Sequence, residues 1–268
     1  MRTILISLLI VMGLSLASMA PATAGPFEDG VAAYEAGDYS TALRLWEQEA
    51  ERGDANSQYK LGLLYDAGQG IPKDYAEALK WYRLAAEQGH AAAQDSLGVM
   101  YRDGLGVAQD DAEAVKWILL AAEQGDPWAQ TRLGFMHNNG NGVPQDYAQA
   151  LKWYRLAAEQ GFAGGQNNLG SMYDTGHGVP QDYTEAAKWY RLAAEQGDAV
   201  AQSNLGFMYA IGQGVPPDDV QAHMWLNLAA AQGNADATEG RDIAAKMMTP
   251  QQIAEAQRLA REWIAAHP

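Results

Sequence analysis

The 268-residue sequence contains no cysteine. Disulfides, thiolate metal sites, a cysteine nucleophile and a lipidated cysteine are thereby excluded, whatever compartment the chain enters. Basic residues are scarce: 18 Lys and Arg stand against 33 Asp and Glu, a formal charge of −15. Such an acidic surface argues against nucleic acid or anionic lipid as the partner. The five histidines (His90, His137, His177, His223 and His267) never fall into H-x-x-x-H or H-E-x-x-H spacing, so no helical turn offers a pair of zinc ligands. No metal and no cofactor are expected.

The first residues have a separate character. Met1-Arg2 is a short positive start, Ile4 to Leu16 an apolar run, and Ala22-Thr23-Ala24 a small-x-small cleavage signal. Residues 1–24 are therefore expected to be a signal peptide cut after Ala24, its apolar run being shorter than the ~20 residues a membrane span needs. A periplasmic or secreted location follows, with no stable membrane insertion after cleavage.

What the chain has in abundance is a repeat. Residues 54–89 recur at 90–125, 126–161, 162–197 and 198–233 without insertion or deletion. Leu61-Gly62 returns as Leu97-Gly98, Leu133-Gly134, Leu169-Gly170 and Leu205-Gly206, and Trp81 as Trp117, Trp153, Trp189 and Trp225. A fixed period of this size means stacked supersecondary units, none able to bury its apolar face alone. Each unit reads as two helices. Asp54 caps the first, A, and Gly68 ends it in the left-handed conformation; Asp126 and Asp198 repeat the cap, and Gly104, Gly140, Gly176 and Gly212 the stop. Asp74 caps the second helix, B, after a Gly- and Pro-rich loop. On B, Ala78, Trp81 and Ala85 form one packing face. Leu61, Gly62, Tyr65, Ala78, Trp81 and Ala85 thus read as frame.

These motifs, L-G-x-x-Y, G-x-G-[VI]-P-x-D-Y, A-x-x-W-Y and A-A-E-Q-G, resemble the Sel-one-like repeat, a relative of the tetratricopeptide repeat, over residues 54–233. The resemblance implies an all-α fold, a right-handed α-solenoid of stacked antiparallel helix pairs, with a concave surface lined by the A helices. It also implies a non-enzymatic scaffold or adaptor that binds a protein or peptide partner. Residues 25–53 look like a shortened, tetratricopeptide-like pair that caps the N-terminal end. Residues 234–268 are expected to cap the other end, with Thr249, Pro250 and Gln252 starting a last helix in a capping box and Ile253, Ala256, Ala260 and Trp263 as its apolar stripe.

In tetratricopeptide relatives the groove is lined by A-helix positions two and five residues either side of the Leu of Leu-Gly. Carried over, this implies a partner-binding face that includes Tyr59, Leu63, Asp66, Asp95, Val99, Arg102, Trp128, Thr131, Phe135, Asn138, Asn167, Asp174, Ser203 and Phe207. These positions vary while the frame barely changes, His137 in the Tyr65 slot of the third unit being its departure. Trp128 stands out, since it lies outside the periodic tryptophan series and large aromatics anchor interfaces. Phe135 and Phe207 have the alternative of packing between neighbouring A helices.

No catalytic residue emerges. Ser57 and Lys60 have S-x-x-K spacing, but neither S-D-N nor K-T-G occurs in the chain. Some exported proteins of this repeat family, rich in disulfides, are linked to cell-wall or β-lactam hydrolysis. That alternative function is disfavoured by the missing cysteines and the lack of a catalytic constellation.

Overall fold

The structure, a computed structural model, describes residues 25–267; the expected signal peptide lies outside the described residues. Among them are fourteen α-helices and no strand. The five equal units contribute five A–B pairs: α3 (Ala55–Ala67) with α4 (Tyr75–Glu87), α5 (Ala91–Asp103) with α6 (Asp111–Glu123), α7 (Pro127–Asn139) with α8 (Tyr147–Glu159), α9 (Ala163–Thr175) with α10 (Tyr183–Glu195), and α11 (Ala199–Ile211) with α12 (Asp219–Ala231). Before them come α1 (Pro26–Glu35) and α2 (Tyr39–Glu51); after them α13 (Ala235–Met247) and α14 (Pro250–Ala266). The fold is an all-α solenoid.

Helix boundaries follow from side chains that satisfy orphan backbone groups. The Asp54 carboxylate accepts the Ser57 amide at 2.7 Å, and that of Asp74 accepts Ala76 and Glu77. Gly68, Gly104, Gly140, Gly176 and Gly212 close the A helices with φ between 67° and 75°. The capping box at Thr249 and Gln252 is formed. Two A-helix starts depart from the Asp rule: His90 caps α5 through Nδ1, which accepts the Ala93 amide at 3.2 Å, and α9 begins at Phe162 with no side-chain cap at all.

Each A helix packs against its own B helix and the B helix before it. Successive A helices also approach one another, most closely α5 with α7, α7 with α9 and α11 with α13, whereas the B helices of the five units stay further apart. Within the five units the A helices thus lie closer together than the B helices, as expected for the inner side of a curved solenoid.

The core differs from the expected frame in one respect. Trp153 and Trp225 are buried, but Trp81, Trp117 and Trp189 are only half-buried, as is Tyr65. The fully enclosed large residue of each B helix is the next one along: Tyr82, Ile118, Tyr154, Tyr190 and Leu226. One residue along a helix turns the side chain by about 100°, which swings this position onto the Leu-Gly pair of the A helix.

A second periodic element carries the joints between units. Gln58 is buried and donates through Nε2 to the Ala50 carbonyl at the end of α2, while its own Oε1 accepts from Gln88 at 2.7 Å. Gln94, Gln130, Gln166 and Gln202 repeat both bonds. A buried amide satisfied in this way fixes the spacing of one unit on the next, because an unpaired one is costly.

Candidate partner-binding surface

The A helices bring the variable positions onto the inner face, where they meet neighbours one unit away. Asp95, on α5, is buried and accepts from the Arg132 guanidinium of α7 at 3.0 and 3.3 Å. Burial raises the Asp95 carboxyl above its ordinary value, and the Arg132 charge pulls it back. Two units further on, Asn167 accepts from the Asn204 amide at 3.3 Å. A rung therefore runs from the residue two before Leu in one unit to the residue one before Leu in the next.

The expected face divides along its length. Tyr59 is half-buried and stacks on His90 with ring centroids 4.7 Å apart, and Leu63 packs half-buried against the cluster of Tyr82 and Leu97. Asp66 accepts from the Tyr82 hydroxyl, and burial raises the carboxyl of Asp174. Val99, Asn138 and Asn167 are half-buried. Ser203 departs from the expectation: at 4% exposure it lies inside the core, because this part of α11 is covered by its neighbours. Phe207 is partly exposed, yet its ring lies over Gly240 of α13, where a Cβ would stand 2.6 Å away. It belongs to the packing between A helices, the alternative weighed for it.

Trp128 and Phe135 behave differently, being 61% and 51% exposed. Together with Arg102 and Thr131 they line one groove of about 500 Å³. The Thr131 hydroxyl donates to the Pro127 carbonyl at 2.8 Å. Further residues of the groove lie outside the expected positions, among them Arg132, Phe162, Asn168 and Asp198. Phe162 is edge-on to Trp128 at 4.6 Å. Its signal was nonetheless present in the sequence, for it stands in the slot where the other units have Asp54, His90, Asp126 and Asp198, each of which caps a helix. Giving up such a cap costs about 1 kcal/mol. The uncapped start of α9 thus exchanges stability for an aromatic wall.

Arg102 and Arg132 edge the groove, each held by a carboxylate through Nε and Nη2, from Asp103 and Asp95 respectively. The Nη1 of each has no protein partner among the described residues, so both remain able to donate. Ser57 is fully buried, out of reach of any substrate. No group of three or more acidic or histidine side chains poised for a metal ion occurs among the described residues, and no described helix is long and apolar enough to cross a membrane.

Comparison with known proteins agrees with this architecture. The Sel1 repeat family model matches residues 55–90, 91–126, 129–162, 163–198 and 199–234. A Sel1 repeat protein from Oxalobacter formigenes, solved by crystallography, is 36% identical with a TM-score of 0.77, over 88% of this chain and 99% of that one. A Sel1 repeat protein from Klebsiella pneumoniae subsp. pneumoniae is 25% identical with a TM-score of 0.50, over 75% of this chain and 97% of that one. An immunity protein from Pseudomonas aeruginosa is similar in fold, with 21% identity and a TM-score of 0.55 over 81% of this chain and 89% of that one. No curated protein matches. The invariant Leu-Gly frame, the paired helices and the five matched repeats place the chain in the Sel1 repeat family.

Proposed function

We propose that this protein is a non-enzymatic adaptor, exported to the periplasm after cleavage behind Ala24, that holds a peptide or partner protein in the concave groove between α7 and α9. The Sel1 repeat fold commonly mediates protein–protein interaction. The observation that carries the reading is the Trp128–Phe162 pair, an exposed aromatic anchor obtained by sacrificing a helix cap. Exposed tryptophan beside arginine is the composition of interface hot spots. In this reading the groove takes one apolar side chain of the partner between Trp128 and Phe135, while Arg102 and Arg132 receive a neighbouring carboxylate. The helix pairs at 25–53 and 234–268 serve as end caps that shield the first and last core faces.

Affinity capture from a periplasmic extract tests the proposal. The wild-type protein should retain a partner that a folded Trp128→Ala, Phe135→Ala double variant loses; equal capture by both would eliminate this groove. Fractionation followed by N-terminal sequencing should find the mature protein in the periplasm, beginning at Gly25.

A further inference from the structure

The outer side of the solenoid carries a second surface, and the chain itself displays how it is occupied. Helix α14 does not pair with α13 as a B helix pairs with its A helix; it packs against α12. Its Ala256 and Ala260 join Met224, Trp225 and Leu228 of α12 in one cluster, and Trp263 reaches both the Trp225 ring, 6.3 Å between centroids, and the turn at Gly197. The consequence appears in the periodic leucines of the B helices. Leu84, Leu120, Leu156 and Leu192 are 37–44% exposed, whereas Leu228, the same slot in α12, is 3% exposed.

The covered unit is also the one whose charges are missing. Lys80, Lys116, Lys152 and Lys188 share one slot in α4, α6, α8 and α10; α12 has Met224 there. Arg83, Arg155 and Arg191 share another, which holds Leu119 in α6 and Asn227 in α12. The apolar stripe of α14 covers the one unit of the five that has neither cation, while the four that keep the lysine stay open.

Several of those open cations have no carboxylate partner among the described residues. Arg155 and Arg191 are exposed and donate to neutral hydroxyls, those of Tyr173 and Tyr209, at 3.3 and 2.6 Å. Lys152 lacks the carboxylate three residues earlier that pairs with Lys80, Lys116 and Lys188, because Gln149 stands in its place. Beside them are two shallow depressions at equivalent positions, of about 280 Å³ along α8 and about 410 Å³ along α10. The larger is lined by Lys188 and Arg191 and by no carboxylate, on a chain of net charge −15.

We propose that the outer face of α8 and α10 receives an acidic amphipathic helix of a partner protein, seated as α14 is seated on α12. Its apolar stripe would cover Leu156 and Leu192, and its flanking carboxylates would meet Arg155 and Arg191. Complementary charge of this kind sets specificity and encounter rate, and a helix laid on an apolar groove is a recurrent mode of recognition. This surface is separate from the concave groove and does not depend on it.

The probe is a fluorescein-labelled peptide of residues 250–266 carrying Arg258→Glu and Arg261→Glu, which keeps the apolar stripe of α14 and makes its flanks acidic. Fluorescence anisotropy with the full mature protein should show saturable binding that weakens with added NaCl. The Arg155→Gln, Arg191→Gln double variant should bind about tenfold more weakly, as expected for losing two ion pairs at a partly desolvated face. The Arg155→Lys, Arg191→Lys variant should retain most of the affinity, and circular dichroism should show all three proteins equally helical. No saturable binding, or equal affinity for the Gln variant, would overturn the proposal. So would cosedimentation with phosphatidylglycerol vesicles that depends on the two arginines, which would assign the face to lipid. A concentration-dependent dimer abolished by the Gln variant would likewise assign it to a second copy of the chain.

Discussion

Gly62 lies beneath the Tyr82 ring so closely that a Cβ on it would stand 2.4 Å from the ring carbons. The same relationship joins Gly98 to Ile118, Gly134 to Tyr154, Gly170 to Tyr190 and Gly206 to Leu226, at 2.5 to 2.8 Å. The Gly of Leu-Gly is there so that A and B can touch, in helical conformation and with ordinary φ. Gly134→Ala in the central unit should therefore destabilise the protein by about 1–3 kcal/mol through overpacking, although Ala is the better helix former. Combined with Tyr154→Ala it should cost less than the two changes added, since the second removes the clash. Urea melts of the three variants measure this, and additivity would contradict the contact.

The periodic tryptophans should separate by burial. Trp153→Ala removes a 7%-exposed side chain packed on Ile118 and Ala121 and should cost about 3–5 kcal/mol. Trp189→Ala, at the same slot but half-buried, should cost clearly less. Equal losses in melting temperature would show that exposure does not govern this position.

His90 makes the second unit acid-sensitive. Burial lowers its pKa below the ordinary 6.5, and in the neutral state its Nδ1 accepts the Ala93 amide as the cap of α5. The folded ring binds a proton less tightly than the unfolded one, so unfolding takes up protons as the pH falls past 6.5. The stability it contributes is present above that value and is lost below it. Between pH 7 and pH 5 the wild type should lose about 1 kcal/mol more than a His90→Asp variant, the worth of one cap. Asp54, Asp126 and Asp198 already do this work in other units. Identical pH profiles for the two proteins would remove His90 from this role.

The Asp95–Arg132 pair should show the opposite dependence. With Arg132→Met the buried Asp95 carboxylate loses its hydrogen-bonded cation, leaving only the weaker pull of Arg102 against the burial that raises its pKa. The cost at pH 7 should be about 2 kcal/mol, below the 3–5 of a fully buried pair because Arg132 keeps about a quarter of its exposure. A carboxyl with a raised folded pKa contributes stability in its protonated form at low pH and loses it as the pH rises through that value. The difference from wild type should shrink as the pH is lowered from 7 to 4.5, as followed by denaturant titration. A constant difference would place the effect in packing and not in charge.

Much of this protein was legible because its repeat is exact in length. Asp54, Asp74 and Gly68 act on backbone groups two to four residues away, and local rules of that range need only the sequence. Other features required partners from different units. Gln58 looks like an ordinary polar residue until the Ala50 carbonyl and Gln88 converge on it. Tyr82 stands next to Trp81, and which of two adjacent large residues is enclosed depends on the helix that faces them. Phe207 and Phe135 occupy the same slot, and only the presence of Gly240 under one ring distinguishes packing from surface.

The sequence by itself determined the all-α repeat, the positions of helix starts and stops, and the contrast between a constant frame and a varied inner face. These depend on periodicity, capping and backbone conformation, all short-range properties. The tertiary structure alone decided that Trp128, Phe135, Phe162, Arg102 and Arg132 share one groove while Ser203 is buried, and that α14 covers Leu228 but leaves Leu192 open. Those outcomes depend on how far one unit is rotated on the next, a sum of many inter-unit contacts that no single stretch of sequence contains.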